Sequence, residues 1–372
     1  MSIDLTTEDG LRTYLKLNGW KDKINVSLLS GGTANYVYRV RDGDNATRIF
    51  KHAAPYLHSN KNFAFDPTRM DYEARILQTL SPVQSNILSP NQLFASAVHA
   101  VRLLSYDNVQ KLLCIEDGGS RNLKDSYDDL RLDMRMVGRE LGSWIAALHV
   151  SSRETSLALP GQDVTLSQSK NNPIAVEIYR HSYNNLHIAL SQYGHDPDLA
   201  ACINEDFGSL LKLDDECVCH GDYWPGNILV DLKAGQNEAT NLTIVDWELT
   251  RRGTSATDVG QFAAEAFLLD HFRGDRGLLP AFLDGYAAAR EKLVSSTSFG
   301  KAWLRRMVVH WAVHVAYWPT RVEWTDIEGT KELVDLGVGV LRDVLDENWD
   351  KLFVSPLLRS SKNAYTPVLA RP

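Results

Sequence analysis

The sequence predicts an α+β protein of two lobes. A small β-rich N-terminal lobe spans 1–116, and a larger, mainly helical lobe spans 117–372 and carries a β-hairpin. Three observations predict it. Strand alternation and turn residues dominate the first 116 residues, helical periodicity takes over from about residue 128, and a polar-rich stretch at 218–248, "VCHGDYWPGNILVDLKAGQNEATNLTIVDWE", interrupts it. At 372 residues the chain also exceeds one typical domain.

In the first lobe, "INVSLLSGGTANYVYRVRDGDNATRIFKHA" (24–53) reads as strand, glycine turn, strand, Asp-Gly-type turn, strand, with Tyr36, Tyr38 and Val40 alternating. Asp66 and Pro67 read as N-cap and first turn of a helix whose apolar stripe is Met70, Ala74, Leu77 and Leu80. Short strands follow at 100–105 and 111–116, and "EDGGS" breaks the pattern. "MRMVGRELGSWIAALH" is an amphipathic helix with Val137, Leu141, Trp144, Ile145 and Leu148 along one stripe. Helices return after 258 and run to about 350, whereas 151–172 and the tail from 356 read as loops.

Composition narrows the function. The formal charge is 39 − 47 = −8 without a block of like charge, so neither nucleic acid nor a membrane surface is an expected partner. The N-terminus lacks a basic segment followed by an apolar one, and no run approaches the about 20 apolar residues of a membrane span, so a cytoplasmic protein is expected. Cys114, Cys202, Cys217 and Cys219 are expected to be buried thiols, since zinc would want CxxC pairs and further partners. Oligomeric state is not legible.

The stretch 218–248 carries the chemistry. "ILVDL" (228–232) and "NLTIV" (241–245) are strand-like around a polar loop; pairing 232 with 241 sets 228 opposite 245 and Asn227 opposite Asp246. Asp222 stands five residues before Asn227, across a turn made by Pro225 and Gly226. Carboxylate and amide oxygens at a sheet mouth are hard ligands suited to Mg2+. A further carboxylate not consumed by the metal can take a proton from a hydroxyl, the division of labour that phosphoryl transfer requires.

"HGDYWPGNILV" followed by "IVDWE" resembles the catalytic loop and metal-binding segment of the aminoglycoside phosphotransferase superfamily, which includes choline and methylthioribose kinases and shares the bilobal protein-kinase-like fold. The resemblance implies an ATP- and Mg2+-dependent kinase acting on a small-molecule hydroxyl. In it Asp222 is the catalytic aspartate, Asn227 and Asp246 hold Mg2+, Glu248 is an extra metal or supporting carboxylate, and His220 braces the loop. His-Gly-Asp stands where protein kinases carry His-Arg-Asp, Asp-Trp-Glu where they carry Asp-Phe-Gly, and no Ala-Pro-Glu follows, which argues against a protein substrate.

The nucleotide side follows from the same resemblance. Gly31, Gly32 and Asn35 lie in the phosphate-covering turn, and Lys51 in "RIFKHAAPYL", a segment similar to that of methylthioribose kinases, is the ATP-binding lysine. Glu73 sits on an apolar helical stripe, where a charge is costly unless paired, so a buried Lys51–Glu73 bridge is expected. "CIEDGG" places Glu116 and Gly118 at the interlobe hinge, near adenine. On the acceptor side, Asp222, Trp224, Arg251 and Trp318 are candidates, Arg251 and Arg252 as cations for an anionic group. The aromatics of 303–324 are either helix core or an aromatic pocket wall. His310 and His314 lack the glutamate of HExxH, so no metal is expected there. An inactive pseudokinase that only binds nucleotide, or a metal-dependent phosphohydrolase, would be the competing classes.

Overall fold

The computed structural model describes residues 3–20, 23–30, 32–81, 97–162, 171–232, 241–293 and 299–371. Gly31 and the connection 233–240 lie outside these residues.

Strands β1 (Asn25–Leu28), β2 (Tyr36–Arg41) and β3 (Thr47–His52) form a meander, and β4 (Tyr56–Leu57) and β5 (Asn60–Ala64) a separate hairpin. Strand β6 (Val98–Ala100) is followed at once by β7 (Leu103–Asp107) and then β8 (Leu112–Glu116), and the main sheet has the order β1-β2-β3-β8-β7. Alternation in β2 buries Tyr36, Tyr38 and Val40 against helix α1 (Glu8–Leu17), as the pattern predicts. On the other face lies α2 (Arg69–Leu80). Its first residue is Arg69, later than predicted, because Asp66 Oδ1 accepts the Thr68 amide at 2.9 Å and so caps a preceding turn rather than the helix.

The strand expected at 100–105 is divided into β6 and β7, which lie in different sheets. Residues 98–100 run parallel to β11 (Asn241–Ile244), which pairs antiparallel with β10 (Ile228–Asp231). The first lobe thus contributes a strand to the hairpin of the second. The hairpin register differs by one residue from the predicted one: Ile228 faces Ile244 and Asp231 faces Asn241. Asn227 therefore opposes Val245, whose amide donates to the Asn227 carbonyl at 3.0 Å, and Asp246 lies one residue beyond the ladder. The slip matters because a one-residue shift would turn an extended side chain to the opposite face. Asp246 escapes that rule by leaving extended conformation, with φ 66° and ψ 60°. Among the described residues a two-stranded ribbon of β9 (Cys217–Cys219) and β12 (Arg251–Gly253) completes the strands.

The helical part comprises α3 (Met134–Ser151), α4 (Pro173–Tyr179), α5 (His181–Gln192), α6 (Pro197–Ile203), α7 (Ser255–Phe272), α8 (Leu278–Leu293), α9 (Lys301–Tyr317), α10 (Ile327–Leu345), α11 (Trp349–Leu352) and α12 (Lys362–Leu369). The last is a correction to the expected C-terminal loop: Tyr365 and Val368 are buried, and the Tyr365 hydroxyl donates to the Leu283 carbonyl. Helix α7 is buried from Ser255 to Asp270. Among the described residues no helix is long and apolar enough to cross a membrane. Cys114, Cys217 and Cys219 are buried free thiols, but Cys202 is exposed on α6.

Helices α3 and α8 approach backbone to backbone. A Cβ at Gly142 would stand 2.3 Å from the Phe282 carbonyl oxygen and 2.8 Å from the Tyr286 amide. Gly142→Val must therefore separate the pair, and we expect a loss of about 1–3 kcal/mol or more in urea unfolding. An unchanged midpoint would mean the two helices are free to slide apart.

Candidate active site

The approach loop to β10 is built on Asp258, a buried carboxylate in the first turn of α7. Asp258 accepts the His220 amide at 2.7 Å, the Gly221 amide at 3.1 Å and His149 Nε2 at 3.2 Å. Burial pushes this carboxyl up, but the hydrogen bond and charge of His149 outweigh it and hold the group at about 2. Gly221 has φ 85°, and a Cβ there would meet the Leu249 carbonyl oxygen at 1.7 Å, so the middle residue of His-Gly-Asp can only be glycine. His220 is buried beside Trp247, and burial lowers it to about 4, so it is neutral. Its Nε2–H donates to the Val245 carbonyl at 3.0 Å, while Nδ1 accepts the Asp222 amide at 3.2 Å. His220 fastens the loop to the end of β11, and it does not line the cavity.

Asp222 Oδ1 accepts from Gln261 Nε2 at 2.7 Å, and Oδ2 from Asn227 Nδ2 at 2.9 Å and Trp224 Nε1 at 3.3 Å. Burial and the nearby Asp246 nevertheless raise it to about 7. Asn227 Nδ2 also donates to the Asp222 main-chain carbonyl, so the side-chain Oδ1 of Asn227 is the end turned away from Asp222. Trp224 lies over Gly226 and beside Lys124, outside the cavity, contrary to its expected contact with the acceptor.

Across the cleft, Lys51 Nζ lies 2.7 Å from Glu73 Oε2, is paired with Asp246 Oδ1 and is 3.8 Å from Glu248 Oε2. Burial disfavours its charge, yet Asp246, Glu248 and Glu73 outweigh burial and keep it protonated. Glu73 Oε1 also accepts the Trp247 amide at 3.2 Å. Glu248 is held from the first lobe: its Oε2 accepts Asn35 Nδ2 at 2.8 Å and Arg69 Nε at 3.0 Å. Arg69 is fully buried, donates to Asn35 Oδ1 at 2.8 Å and to the carbonyls of Ala34, Phe65 and Asp66, and stacks on Phe65. The Asn35 side chain is thereby spent on Glu248 and Arg69.

Lys51, Glu73, Asp222, Asn227, Asp246 and Glu248 line one interlobe cavity of about 1300 Å³, together with Gly32, Asn35, Glu116, Gly118 and Trp318. The Glu116 amide is already bonded to the Arg102 carbonyl, and its carboxylate to Arg102 and His99. Arg251 is not in the cavity. It is fully buried, donates to Thr257 Oγ1 at 2.7 Å, and lies over the Tyr179 ring at 3.6 Å, so it is unavailable to an anionic acceptor. Arg252 likewise pairs with Asp215 and backbone carbonyls. Trp303 and Trp311 are core, and only Trp318 of the tryptophans in 303–324 reaches the cavity. His310 contacts Tyr179 and Tyr183, and His314 contacts Glu265.

Four functional neighbours were missed by sequence reasoning: Arg69, Asp258, His149 and Gln261. Arg69 carried a signal, since it sits four residues before Glu73 on the same buried helix face. Asp258 and Gln261 are polar residues inside an apolar helix, a signal of the same kind that had already identified Glu73.

Glu73, Asp246 and Glu248 can bring carboxylate oxygens within 4.8 Å of one another. These three carboxylates face two cations, Lys51 and Arg69, a formal deficit of one positive charge. Such an oxygen-rich, negatively charged set fits a divalent cation.

Residues 25–305 match the phosphotransferase enzyme family. Over its length the chain is similar to the 4-hydroxytryptamine kinases of Psilocybe cubensis, at 26% identity covering 98% of this chain and 100% of that one, and of Psilocybe cyanescens, at 26% covering 97% and 99%. Its fold is similar to that of the choline kinase of Cryptosporidium parvum, with a TM-score of 0.51 at 12% identity, covering 92% of this chain and 97% of that one.

The depressed Asp258 carboxyl makes a signed prediction. Its stabilisation is complete above its unfolded value of 3.8 and is lost as pH falls towards 2. The stability difference between wild type and Asp258→Asn should shrink by ~2 kcal/mol between pH 6 and pH 2. A pH-independent difference in urea unfolding contradicts the ionised, loop-holding carboxylate.

Proposed function

The chain belongs to the phosphotransferase enzyme family, and on that premise we propose that it transfers the γ-phosphoryl group of ATP to a hydroxyl of a small molecule. The observation that carries this reading is the convergence of Asp222, Asn227 and the Lys51–Asp246 pair on one interlobe cavity. Val37, Ile49, Ile115, Leu229 and Val245 offer adenine an apolar slot. With the Glu116 amide occupied, the Glu116 carbonyl and the Gly118 backbone are the groups left to read the base edge. Lys51, kept charged between Glu73 and Asp246, is the cation for the phosphates, and Gly32 lies in the turn above them.

Asn227, through its side-chain Oδ1, and Asp246 are the proposed ligands of Mg2+. Glu248, one oxygen of which is taken by Asn35 and Arg69, sits beside them. When bound, Mg2+ supplies neutralisation of charge on the transferring phosphates. Asp222 orients the acceptor hydroxyl and accepts its proton as the acceptor oxygen bonds to the γ-phosphorus and the bond to the β-phosphate oxygen breaks, releasing ADP. A carboxylate raised to about 7 is matched to that task near neutrality.

For the acceptor we propose a hydroxylated aromatic amine. The two full-length relatives carry names of that class. The cavity wall on the helical side fits it chemically: Ile174, Ile178 and Trp318 for a ring, and Glu177 for an ammonium group.

Asp222→Ala should lower turnover by about 10²–10⁴-fold while Mg2+-ATP binding persists; lost nucleotide affinity would remove the base assignment. Mg2+-ATP should raise the melting temperature, and Asp246→Ala should erase most of that rise. An ATP-consumption screen should find turnover with hydroxyindole amines and little with sugars. Turnover with sugars alone would overturn the acceptor class and leave the kinase.

A further inference from the structure

The aspartate proposed as base is held by a side chain that no part of the reading above requires. Gln261 is nearly buried in α7, where an amide is costly unless both ends are bonded. One end donates to Asp222 Oδ1 at 2.7 Å, and the other accepts from the Tyr179 hydroxyl at 3.2 Å. An ionised carboxylate only accepts, so the amide must present nitrogen to it, and a flipped amide would set oxygen against oxygen. What fixes the flip lies further back.

The Tyr179 hydroxyl proton is shared between Gln261 Oε1 and the Thr257 carbonyl, also at 3.2 Å. Its lone pair faces His310 Nε2 at 3.0 Å, and His310 Nδ1 faces the Tyr183 hydroxyl at 3.0 Å. His310 is buried, which keeps it neutral, so it has one proton to place. A single arrangement satisfies every group: Tyr183 O–H donates to Nδ1, Nε2–H donates to the Tyr179 oxygen, Tyr179 donates to Gln261 and Gln261 donates to Asp222. The Tyr179 ring is itself fixed, stacked on His310 with centroids 5.1 Å apart and covered by the Arg251 guanidinium. The buried Nε and Nη1 of Arg251 have no partner among the described residues, consistent with a cation placed for the ring rather than for an acid.

We propose that Gln261 is a positioning residue for Asp222, its amide held in the working orientation by the chain Tyr183–His310–Tyr179, and that this chain ties the base to the acceptor wall. The tie is structural. Tyr179 ends α4, the same short helix whose Ile174, Glu177 and Ile178 line the cavity, and His181, two residues on, lines it too. A displacement of that wall is therefore transmitted to the Asp222 carboxylate through two hydrogen bonds. The proposal rests on Asp222 acting as the base.

The test compares Tyr179→Phe, Gln261→Leu and the double variant in steady-state phosphoryl transfer, using the best acceptor from the screen. Tyr179→Phe keeps the ring and removes one hydroxyl. Gln261→Leu should lower kcat about tenfold to a hundredfold, the span of a charge-assisted hydrogen bond, and Tyr179→Phe, which removes a neutral one, about twofold to tenfold. KM for ATP and the Mg2+-ATP melting shift should stay at wild-type values. The double variant should be no slower than Gln261→Leu alone, because Tyr179 acts through Gln261. Wild-type kcat in Tyr179→Phe overturns the chain, as do losses that multiply in the double variant, or a raised acceptor KM with kcat unchanged. Asp222→Ala measured alongside separates the readings: abolished turnover there with full turnover in Tyr179→Phe removes the chain and leaves the base.

Discussion

The cluster of Lys51, Arg69, Glu73, Asp246 and Glu248 is the interaction on which the arrangement of the two lobes depends. It joins β3, α2 and the segment after β11, three parts of the chain that share no regular secondary-structure bond with one another. Buried ions are expensive, and removing one partner of a buried pair typically costs about 3–5 kcal/mol because the other is left uncompensated. Every charge in this cluster has at least one opposite charge within 3.0 Å or shorter. Its formal excess of negative charge suits it to receive a cation together with polyphosphate.

Arg69 gives that cluster its direction. Its guanidinium reaches Glu248, Asn35 and three backbone carbonyls. The glycine turn, the helix that carries Glu73 and the Asp-Trp-Glu segment are thus fixed to one planar group, a use to which arginine is better suited than lysine. A comparable economy appears behind the approach loop, where Asp258 takes two successive backbone amides and a histidine. Both devices put precision in residues that never touch the reacting atoms.

Much of this was legible in the sequence. The order His-Gly-Asp, Asn, Asp-x-Glu on a hairpin, and a glutamate on an apolar stripe, were read from spacing and the cost of buried charge, and the structure brings Asp222, Asn227, Asp246, Glu248 and Glu73 to one cavity, with His220 behind it. The register was misread by one residue. Pairing 231 with 241 lines up Ile228 and Val230 with Ile244 and Leu242, whereas pairing 232 with 241 sets Asp231 against Leu242, so the alternation favoured the observed register, and only the left-handed turn at Asp246 leaves no trace in composition. Arg251 was misjudged because charge on the exposed end of a ribbon and charge buried on an aromatic ring look alike before the helices are packed. Arg69 and Gln261 stood out as polar residues on buried helix faces, but their partners Glu248 and Asp222 lie 179 and 39 residues away, and local spacing does not name distant partners.

Strand β6 has a consequence for how the chain comes together. Residues 98–107 leave the hairpin sheet and enter the main sheet within one continuous run, so the two sheets share an axle as well as a cleft. During synthesis the segment 98–100 emerges long before the hairpin against which it pairs, and its ladder must wait for more than a hundred further residues. The first lobe can therefore complete its own sheet early while holding an unpaired edge in reserve for the second. A chain divided at the apparent boundary between Glu116 and Asp117 would leave the hairpin without its outer strand. Strand β6 thus links the two lobes by a shared ladder as well as by the chain that runs between them.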